Sequence, residues 1–313
     1  MKPVRIGTRG SSLARWQTNH VAARLRALDG AHAIDVVRIT SVGDQSPDLP
    51  IDHLEGTGFF TSTIERALEL GEIDVAVHSC KDLPVESAPD LTIAALLERA
   101  AVEDVLCARD RLTLSHLPAG ARVGTCSLRR TAQLRAMRPD LDYRPLRGNL
   151  PTRIERVTAG ELDAVVIARA GLERLGLMAH ASEIFTIAQV LPAPAQGAIA
   201  VQARRDDADL VALLERLDHR ETRRAVEAER ALLHGLGGGC SVPVGALART
   251  TGATIRLDAA VFDLATGEAL RTRNDGREPE AVAAAAARAL LDLGAGAILE
   301  AAARTRGVAE VGR

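Results

Sequence analysis

The sequence has few aromatic residues and almost no lysine. Aromatic side chains make up 2% of its 313 residues, and among 39 basic residues only Lys2 and Lys81 are lysine. The formal net charge is −2. Nucleic-acid-binding proteins usually combine a basic surface with aromatic side chains that stack on bases. The composition therefore predicts no nucleic-acid partner, and the arginine bias is only weak evidence for an acidic ligand.

Cysteine is also scarce, and long apolar runs are absent. The four cysteines, Cys80, Cys107, Cys126 and Cys240, lie too far apart for a zinc site and are too few for a disulfide scaffold. The N-terminal stretch contains no apolar segment with the length of a signal peptide or a membrane span. These absences predict a cytoplasmic protein with reduced thiols and no membrane partner, and its length fits two or three domains.

Strand-like and helix-like segments alternate in two successive series, which predicts two α/β units beside a cleft. The first series is 4–8, 13–28, 34–40, 60–70 and 73–77, and the second is 122–125, 128–137, 141–145, 152–158 and 164–168. Beyond Leu191 the pattern changes to strand-like runs and an alanine-rich helical end. We expect a small α+β domain there, with Leu290, Leu291, Leu293 and Ile298 on the buried face of the last helices.

Three segments place anion-binding side chains where a strand gives way to a helix. In GTRGSS (7–12), Ser11 or Ser12 can cap the helix beside Arg9. TCSLRR (125–130) puts Arg129 and Arg130 into a first helical turn, where the helix dipole disfavours cations. RGN (147–149), followed by Arg153, stands at the next junction. An anionic ligand would explain why cations stand at these junctions. The alternatives are that the serines form ordinary helix caps, and that the arginines reach into solvent or pair with nearby carboxylates.

Two further segments carry candidate reactive groups. HSCKDLP (78–84) follows a strand, and its proline predicts that Lys81 and Asp82 lie on a loop beside the cleft. Asp82 could move protons or stabilise a cation there, unless the two residues form a surface ion pair. GGGCSVP (237–243) presents Cys240 on a glycine-rich loop, where a thiol is approachable; a small buried thiol is the alternative.

Taken together, these segments resemble the porphobilinogen deaminase family over essentially the whole chain. The matching motifs are IGTR (6–9), VHSCKDLP (77–84), GTCSLRR (124–130), LRGN (146–149), QGA (196–198) and GGCSVP (238–243). The resemblance implies two domains similar to periplasmic binding proteins and a third domain that carries a dipyrromethane cofactor through a thioether, here on Cys240. It places the first domain at 1–97 and 198–215, the second at 98–197 and the third at 216–313.

The resemblance also implies the reaction and the residues that carry it. Four porphobilinogen molecules are joined in turn with loss of ammonia, which makes the expected activity that of a hydroxymethylbilane synthase, a monomeric transferase of tetrapyrrole biosynthesis. Asp82 is the expected catalytic residue. The expected cofactor-binding residues are Cys240, Lys81, Asp44, Ser79, Thr125, Ser127, Arg129 and Arg130, and the expected substrate-binding residues are Arg9, Ser11, Arg147, Arg153 and Arg174.

The chain departs from the family pattern at four positions. Thr57 and Ser62 stand where family members usually have lysine, so closure over the cleft or substrate entry is expected to differ. Cys80 and Cys126 replace the more usual side chains, which affects packing rather than the reaction. Two other functions remain open: a two-lobed binding protein for an acidic small molecule, and a phosphate-group transferase. The first needs no glycine-rich cysteine loop, and the second lacks a Walker-type loop.

Overall fold

The computed structural model describes residues 3–28, 33–39, 59–86, 88–238 and 242–311. In chain order, the strands β1 to β13 are Val4–Thr8, Ile34–Arg38, Val75–Ser79, Leu91–Leu96, Asp104–Ala108, Arg122–Gly124, Asp142–Arg144, Ala164–Ala168, Glu183–Ile184, Ile199–Arg204, Val244–Thr251, Thr254–Phe262 and Ala269–Gly276. The described α-helices, numbered α1 to α9, are Ser12–Leu28, Phe59–Glu69, Leu128–Met137, Leu150–Thr158, Arg169–Arg174, Ala208–Glu215, Arg220–Gly235, Pro279–Asp292 and Ala295–Val311.

The first lobe is built on a five-stranded sheet with the order β2-β1-β3-β10-β4. β1 pairs in parallel with β2 and β3, whereas β10 runs antiparallel to β3 and β4. Strands such as Val75–Ser79 are apolar along most of their length because helices cover both faces of the sheet. The carboxyl ends of β1 and β3 therefore lie side by side at one edge of the lobe.

The second lobe repeats this plan with the order β7-β6-β8-β5-β9. β6 pairs in parallel with β7 and β8, and β5 runs antiparallel to β8 and β9. In each lobe, one antiparallel strand lies next to the three parallel strands: β10 in the first lobe and β5 in the second. The chain reaches each of these strands by a connection from the other lobe, which is called a crossover below. The two lobes are thus connected twice, by residues 97–103 between β4 and β5 and by residues 185–198 between β9 and β10.

A third domain packs helices α7 and α8 against the antiparallel sheet β11-β12-β13. The buried face of α8 is made mainly of alanine, with Val282 and Leu290. The expectation for Leu291 and Leu293 was wrong, because these side chains are 44% and 54% exposed. Leu290 is fully buried and Ile298 packs partly against the same core, so alanine supplies most of the face expected from leucine.

The predicted fold class is confirmed: two α/β lobes are followed by a small α+β domain. The residue numbers given above for the domain boundaries stay a prediction. Within the described ranges, no single helix is long and apolar enough to cross a membrane, although α8 and the first part of α9, bent by 82°, pass on combined length and composition.

Candidate active site

The candidate site lies where the parallel strands of both lobes end, the edge at which open α/β sheets bind ligands. In the first lobe, Arg9 follows β1, and Ser79 closes β3. In the second lobe, Thr125 follows β6, and Arg147 comes after β7. The structure thus places most of the predicted site residues at equivalent junctions.

Lys81 and Asp82 lie directly after β3, on the connection where a loop was expected, and form a single 3₁₀ turn there, Cys80–Asp82. Lys81 is half-buried, and its Nζ donates a hydrogen bond to Gln196 Oε1 at 3.2 Å. Burial, together with the charge of Arg130, lowers the pKa of Lys81 to about 8. The Asp82 side chain is exposed, and no described residue hydrogen-bonds to its carboxylate. Asp82 is therefore open to a ligand, and it is not locked in an ion pair with Lys81.

Arg129 and Arg130 are almost completely buried and share one carboxylate, that of Asp104. Arg129 Nη2 lies 2.8 Å from Asp104 Oδ2, and Arg130 Nη2 lies 2.6 Å from Asp104 Oδ1. Burial alone would raise the pKa of Asp104, but the two guanidinium charges outweigh it and hold that pKa far below its usual range. Pairing with a carboxylate, one of the alternatives left open above, therefore occurs.

One carboxylate does not satisfy these cations fully. Arg129 Nε is buried without a hydrogen-bond partner in the described structure. Lys81, close enough for its charge to act on Asp104, adds a third cation to the cluster. A buried group of three cations around one carboxylate is unfavourable unless an anion completes it. The cluster therefore has the chemistry of a site for a ligand that carries carboxylates.

Gln196 connects the cluster to the first lobe. Its amide nitrogen donates to Val102 O at 2.7 Å and to Asp104 Oδ1 at 3.0 Å, and its oxygen accepts from Lys81. The amide nitrogen faces two acceptors and the amide oxygen faces the Lys81 ammonium, so exchanging the two ends would break these hydrogen bonds. The amide therefore has only one satisfactory orientation. Gln196 lies on the second crossover, so Lys81 of one lobe and Asp104 of the other are held by the same side chain.

Four hydroxyl groups at the junctions act as acceptors toward the protein itself. Ser79 Oγ accepts from Gln17, and Thr125 Oγ1 accepts from the amide of Ser127. The other two cap helices: Ser127 Oγ accepts from the Arg130 amide and Ser11 Oγ from the Ala14 amide. A hydroxyl that accepts in this way still has its own hydrogen to donate. All four can therefore donate to a carboxylate without giving up their structural bond.

The remaining predicted arginines occupy different environments. Arg153 Nε donates to Gly148 O at 2.8 Å, at the N-terminus of α4. Arg174, at the end of α5, donates to Gly197 O at 2.7 Å, and burial lowers its pKa to about 10. The charge of Arg9 acts on His78, which burial keeps neutral by lowering its pKa to about 4. The structure does not bring all of these residues into one contact cluster.

The third domain contacts both lobes. Arg230 of α7 donates to Pro84 O at 2.6 Å and Val85 O at 3.0 Å, just after Asp82. In the second lobe, Arg135 of α3 donates to Leu264 O at 2.9 Å. The strand of Val244–Thr251 and helix α7 flank the glycine-rich segment. Cys240 itself and three further positions discussed above, Asp44, Thr57 and the side chain of Ser62, lie outside the described residues.

Sequence reasoning did not identify two residues of this cluster. Asp104 begins an otherwise apolar strand, and an acidic residue in a buried strand requires a partner, so that signal was present. Gln196 belongs to one of the matching motifs but was assigned no role. Neither residue could be connected to Arg129 or Lys81 without the tertiary structure.

Comparison with known proteins identifies the family. A family model for porphobilinogen deaminase, described as the dipyromethane cofactor binding domain, matches residues 4–212, and one for the C-terminal domain matches residues 223–292. Two curated relatives carry the name porphobilinogen deaminase. The protein of Mycobacteroides abscessus is 47% identical over 308 residues, covering 95% of this chain and 99% of its own. That of Syntrophomonas wolfei is 44% identical over 301 residues, covering 96% and 98%.

Among solved structures, a putative methionine-binding lipoprotein from Bacillus subtilis matches with 14% identity and a TM-score of 0.44, covering 71% of this chain and 92% of that chain. This likeness is too loose to carry an argument. The two family models together span most of the chain, and the relatives match nearly end to end. The chain therefore belongs to the porphobilinogen deaminase family.

Proposed function

We propose that the chain is a hydroxymethylbilane synthase whose reaction takes place beside Asp82, at the carboxyl end of β3. Like its family, it is a transferase that acts on porphobilinogen and has a dipyrromethane cofactor. The observation that carries the assignment of the site is the buried cluster of Arg129, Arg130 and Lys81 around Asp104, next to the open Asp82 carboxylate. Cations for binding and a carboxylate for chemistry thus lie together.

Asp82 is the proposed catalytic residue. Positive charge develops on a pyrrole when ammonia leaves porphobilinogen, and again on the pyrrole that attacks. A fixed carboxylate stabilises such charge and accepts or returns protons. The carboxylate of Asp82 is held on a short turn, and Arg230 fixes the backbone that follows it. The position is therefore rigid while the carboxylate remains available.

The cofactor fits the donors that surround this carboxylate. Dipyrromethane carries acetate and propionate groups, and the excess positive charge and the unpartnered Arg129 Nε suit such a ligand. When bound, it supplies the pyrrole to which the chain is added. Lys81, Arg129, Arg130, Ser79, Thr125 and Ser127 would hold it, with Asp44 and Cys240 as the further predicted positions, Cys240 forming the thioether.

The predicted substrate residues surround the same edge. Arg9 and Ser11 of the first lobe and Arg147, Arg153 and Arg174 of the second would bind the carboxylates of porphobilinogen and of the growing chain. Bidentate guanidinium contacts orient as well as attract a carboxylate. We further propose that the enzyme works as a monomer in the cytoplasm, without a membrane or nucleic-acid partner.

The first part of the test uses intact mass. The purified protein should carry an excess mass equal to two linked pyrroles, and Cys240→Ser should fold without it. A Cys240→Ser protein with the full excess mass would show that the cofactor is attached elsewhere. A wild-type protein with no excess mass and no bilane product would reject the proposed function itself.

The second part tests Asp82 on cofactor-loaded enzyme. Asp82→Asn keeps the shape of the side chain but removes its charge, and we expect single-turnover ammonia release to fall about a hundredfold or more, the scale of losing a preorganised electrostatic partner. Asp82→Glu, which retains the charge at a shifted position, should lose less. If Asp82→Asn stays within a few-fold of wild type, Asp82 is not the catalytic residue.

A further inference from the structure

Helices α1 and α5 meet where the two lobes touch. Gly171 of α5 faces Leu13 of α1 so closely that a Cβ at Gly171 would lie 3.8 Å from Leu13 Cδ2. Residues three positions apart lie on the same face of a helix. Trp16 and Arg174, each three positions further along its own helix, are therefore the next pair to meet across the boundary.

Arg174 is held at this boundary by two neutral groups. Its guanidinium carbon lies 5.7 Å from the centroid of the Trp16 ring, and its Nη2 donates to Gly197 O at 2.7 Å. Among the described residues, no carboxylate lies within ion-pair distance of it. Burial lowers the pKa of Arg174 and outweighs the opposing charge of the neighbouring Glu173. A cation in this state is ready to bind an anion.

The contact leaves the edge of the guanidinium available. Only Nη2 has a hydrogen bond to the protein, while Nε and Nη1 have none within the described residues. An indole binds a guanidinium through its face, and a carboxylate binds one through its N–H edge. Arg174 can therefore stay on Trp16 while it binds a carboxylate.

Trp16 has a second ring neighbour on its own helix, His20. His20 stacks on the indole with a centroid distance of 5.0 Å and an angle of 9° between the rings. Burial and the nearby Arg24 and Arg174 lower the pKa of His20. Gln17, which follows Trp16 in the chain, is buried and donates to Ser79 at the end of β3. His20 and Gln17, the neighbours of Trp16 on α1, therefore fix the orientation of the indole.

We propose that Trp16 is a positioning residue, which holds the guanidinium of Arg174 across the lobe boundary so that its edge meets a carboxylate of porphobilinogen or of the growing chain. The inference rests on the proposed function. Ordinary packing between lobes would require an apolar side chain of similar size at position 16, whereas positioning requires an aromatic face.

The kinetic test separates these possibilities in the cofactor-loaded enzyme. Trp16→Leu should raise KM for porphobilinogen about two- to fivefold, the scale of one exposed cation–π contact. Its kcat should stay within about twofold, because the indole touches no reacting group. Trp16→Phe, which retains a weaker aromatic face, should fall between Trp16→Leu and wild type. Equal KM values for Trp16→Leu and wild type would refute the proposal.

A double-mutant comparison tests whether the effect passes through Arg174. Arg174→Gln should raise KM by itself, and adding Trp16→Leu to it should cause no further rise. If Trp16→Leu raises KM equally in the wild type and in Arg174→Gln, Trp16 acts through packing and the proposal is wrong. Should Trp16→Leu fail to fold, Trp16→Phe with and without Arg174→Gln provides the same comparison.

Fluorescence tests the contact in solution, because Trp16 is the single tryptophan of the chain. Arg174→Gln should change the emission spectrum of the loaded enzyme, whereas Arg249→Gln, which removes an exposed third-domain arginine paired with Asp258, should not. Identical spectra for wild type and Arg174→Gln would overturn the proposal. If the wild type had neither cofactor nor ammonia release, the proposed function would fail instead, whatever the emission showed.

Discussion

Lys81 is a residue of the candidate site whose charge depends strongly on its surroundings. It lies near the positive charges of Arg130 and Arg129, with the carboxylates of Asp82 and Asp104 acting in the opposite direction. Burial is the largest influence and brings the pKa of Lys81 to about 8. Lys81 of the cofactor-free protein is therefore cationic below that pH and loses its charge as the pH rises through it.

This titration predicts a pH dependence for cofactor assembly. The rate at which the cofactor-free protein gains the mass of two pyrroles should fall above about pH 8, relative to lower pH, because neutral Lys81 no longer attracts a carboxylate. Lys81→Arg keeps its charge throughout this range and should remove that part of the pH dependence. A fall of equal size in wild type and Lys81→Arg would show that another group titrates. Intact mass followed over time gives both rates.

Single residues were predicted unevenly from the sequence. A capped turn with two arginines identified Arg129 and Arg130, because helix position and charge are both local properties. Their partner Asp104 is 25 positions earlier along the chain from Arg129, on another element, and only packing brings them together. The exposed Leu291 and Leu293 show the same limit, because the spacing of leucines alone does not determine which face of a helix packs against the core.

Two helices that begin at a serine cap were predicted closely. The helices predicted over 13–28 and 128–137 are found at Ser12–Leu28 and Leu128–Met137, because Ser11 and Ser127 cap their first turns and mark where they start. Strands Leu91–Leu96 and Asp104–Ala108 were not predicted. They flank the first crossover, where the chain leaves one sheet and enters the other, and a short apolar run does not reveal which sheet it joins.

The second crossover depends on a glycine. Gly197 has φ of +89°, and a Cβ there would lie 2.5 Å from the carbonyl oxygen of Ala100 on the first crossover. The two connections between the lobes can approach this closely only without a side chain. The same residue accepts the Arg174 hydrogen bond, so its position also affects the site.

We therefore predict that Gly197→Ala destabilises the protein more than the usual cost of a left-handed alanine. Gly120→Ala is the matched control, because Gly120 has φ of +74° with nothing within 4 Å. The control should lose about 1 kcal/mol from backbone strain, and Gly197→Ala should lose a further ~1–3 kcal/mol through overpacking. Denaturant midpoints provide the comparison. Equal losses in the two variants would mean that the crossovers can move apart freely.

On the scale of the whole molecule, Glu229 connects all three domains. Its carboxylate is fully buried and binds Arg99 of the first crossover through both oxygens, at 2.7 and 2.9 Å. It also accepts from the amides of Ala195 on the second crossover and Ala248 on β11. Nothing in the sequence around Glu229 distinguishes it from the other acidic residues of α7, because its partners come from three distant parts of the chain.

Glu229→Gln should therefore lower stability strongly and loosen the connection between domains. The substitution keeps the size of the side chain but leaves Arg99 buried without a charge partner, and breaking a buried pair in this way costs about 3–5 kcal/mol.

Glu227→Gln on the same helix is the control, since its pair with Arg223 is partly exposed at 3.6 Å and worth about 0–1 kcal/mol. Thermal unfolding followed by calorimetry should show a large fall in the midpoint for Glu229→Gln alone. Because Glu229 of α7 binds Arg99 and Ala195 on the two crossovers, weakening these bonds should let the third domain unfold separately from the lobes. A single transition at the control's midpoint would show that the domains are held together elsewhere.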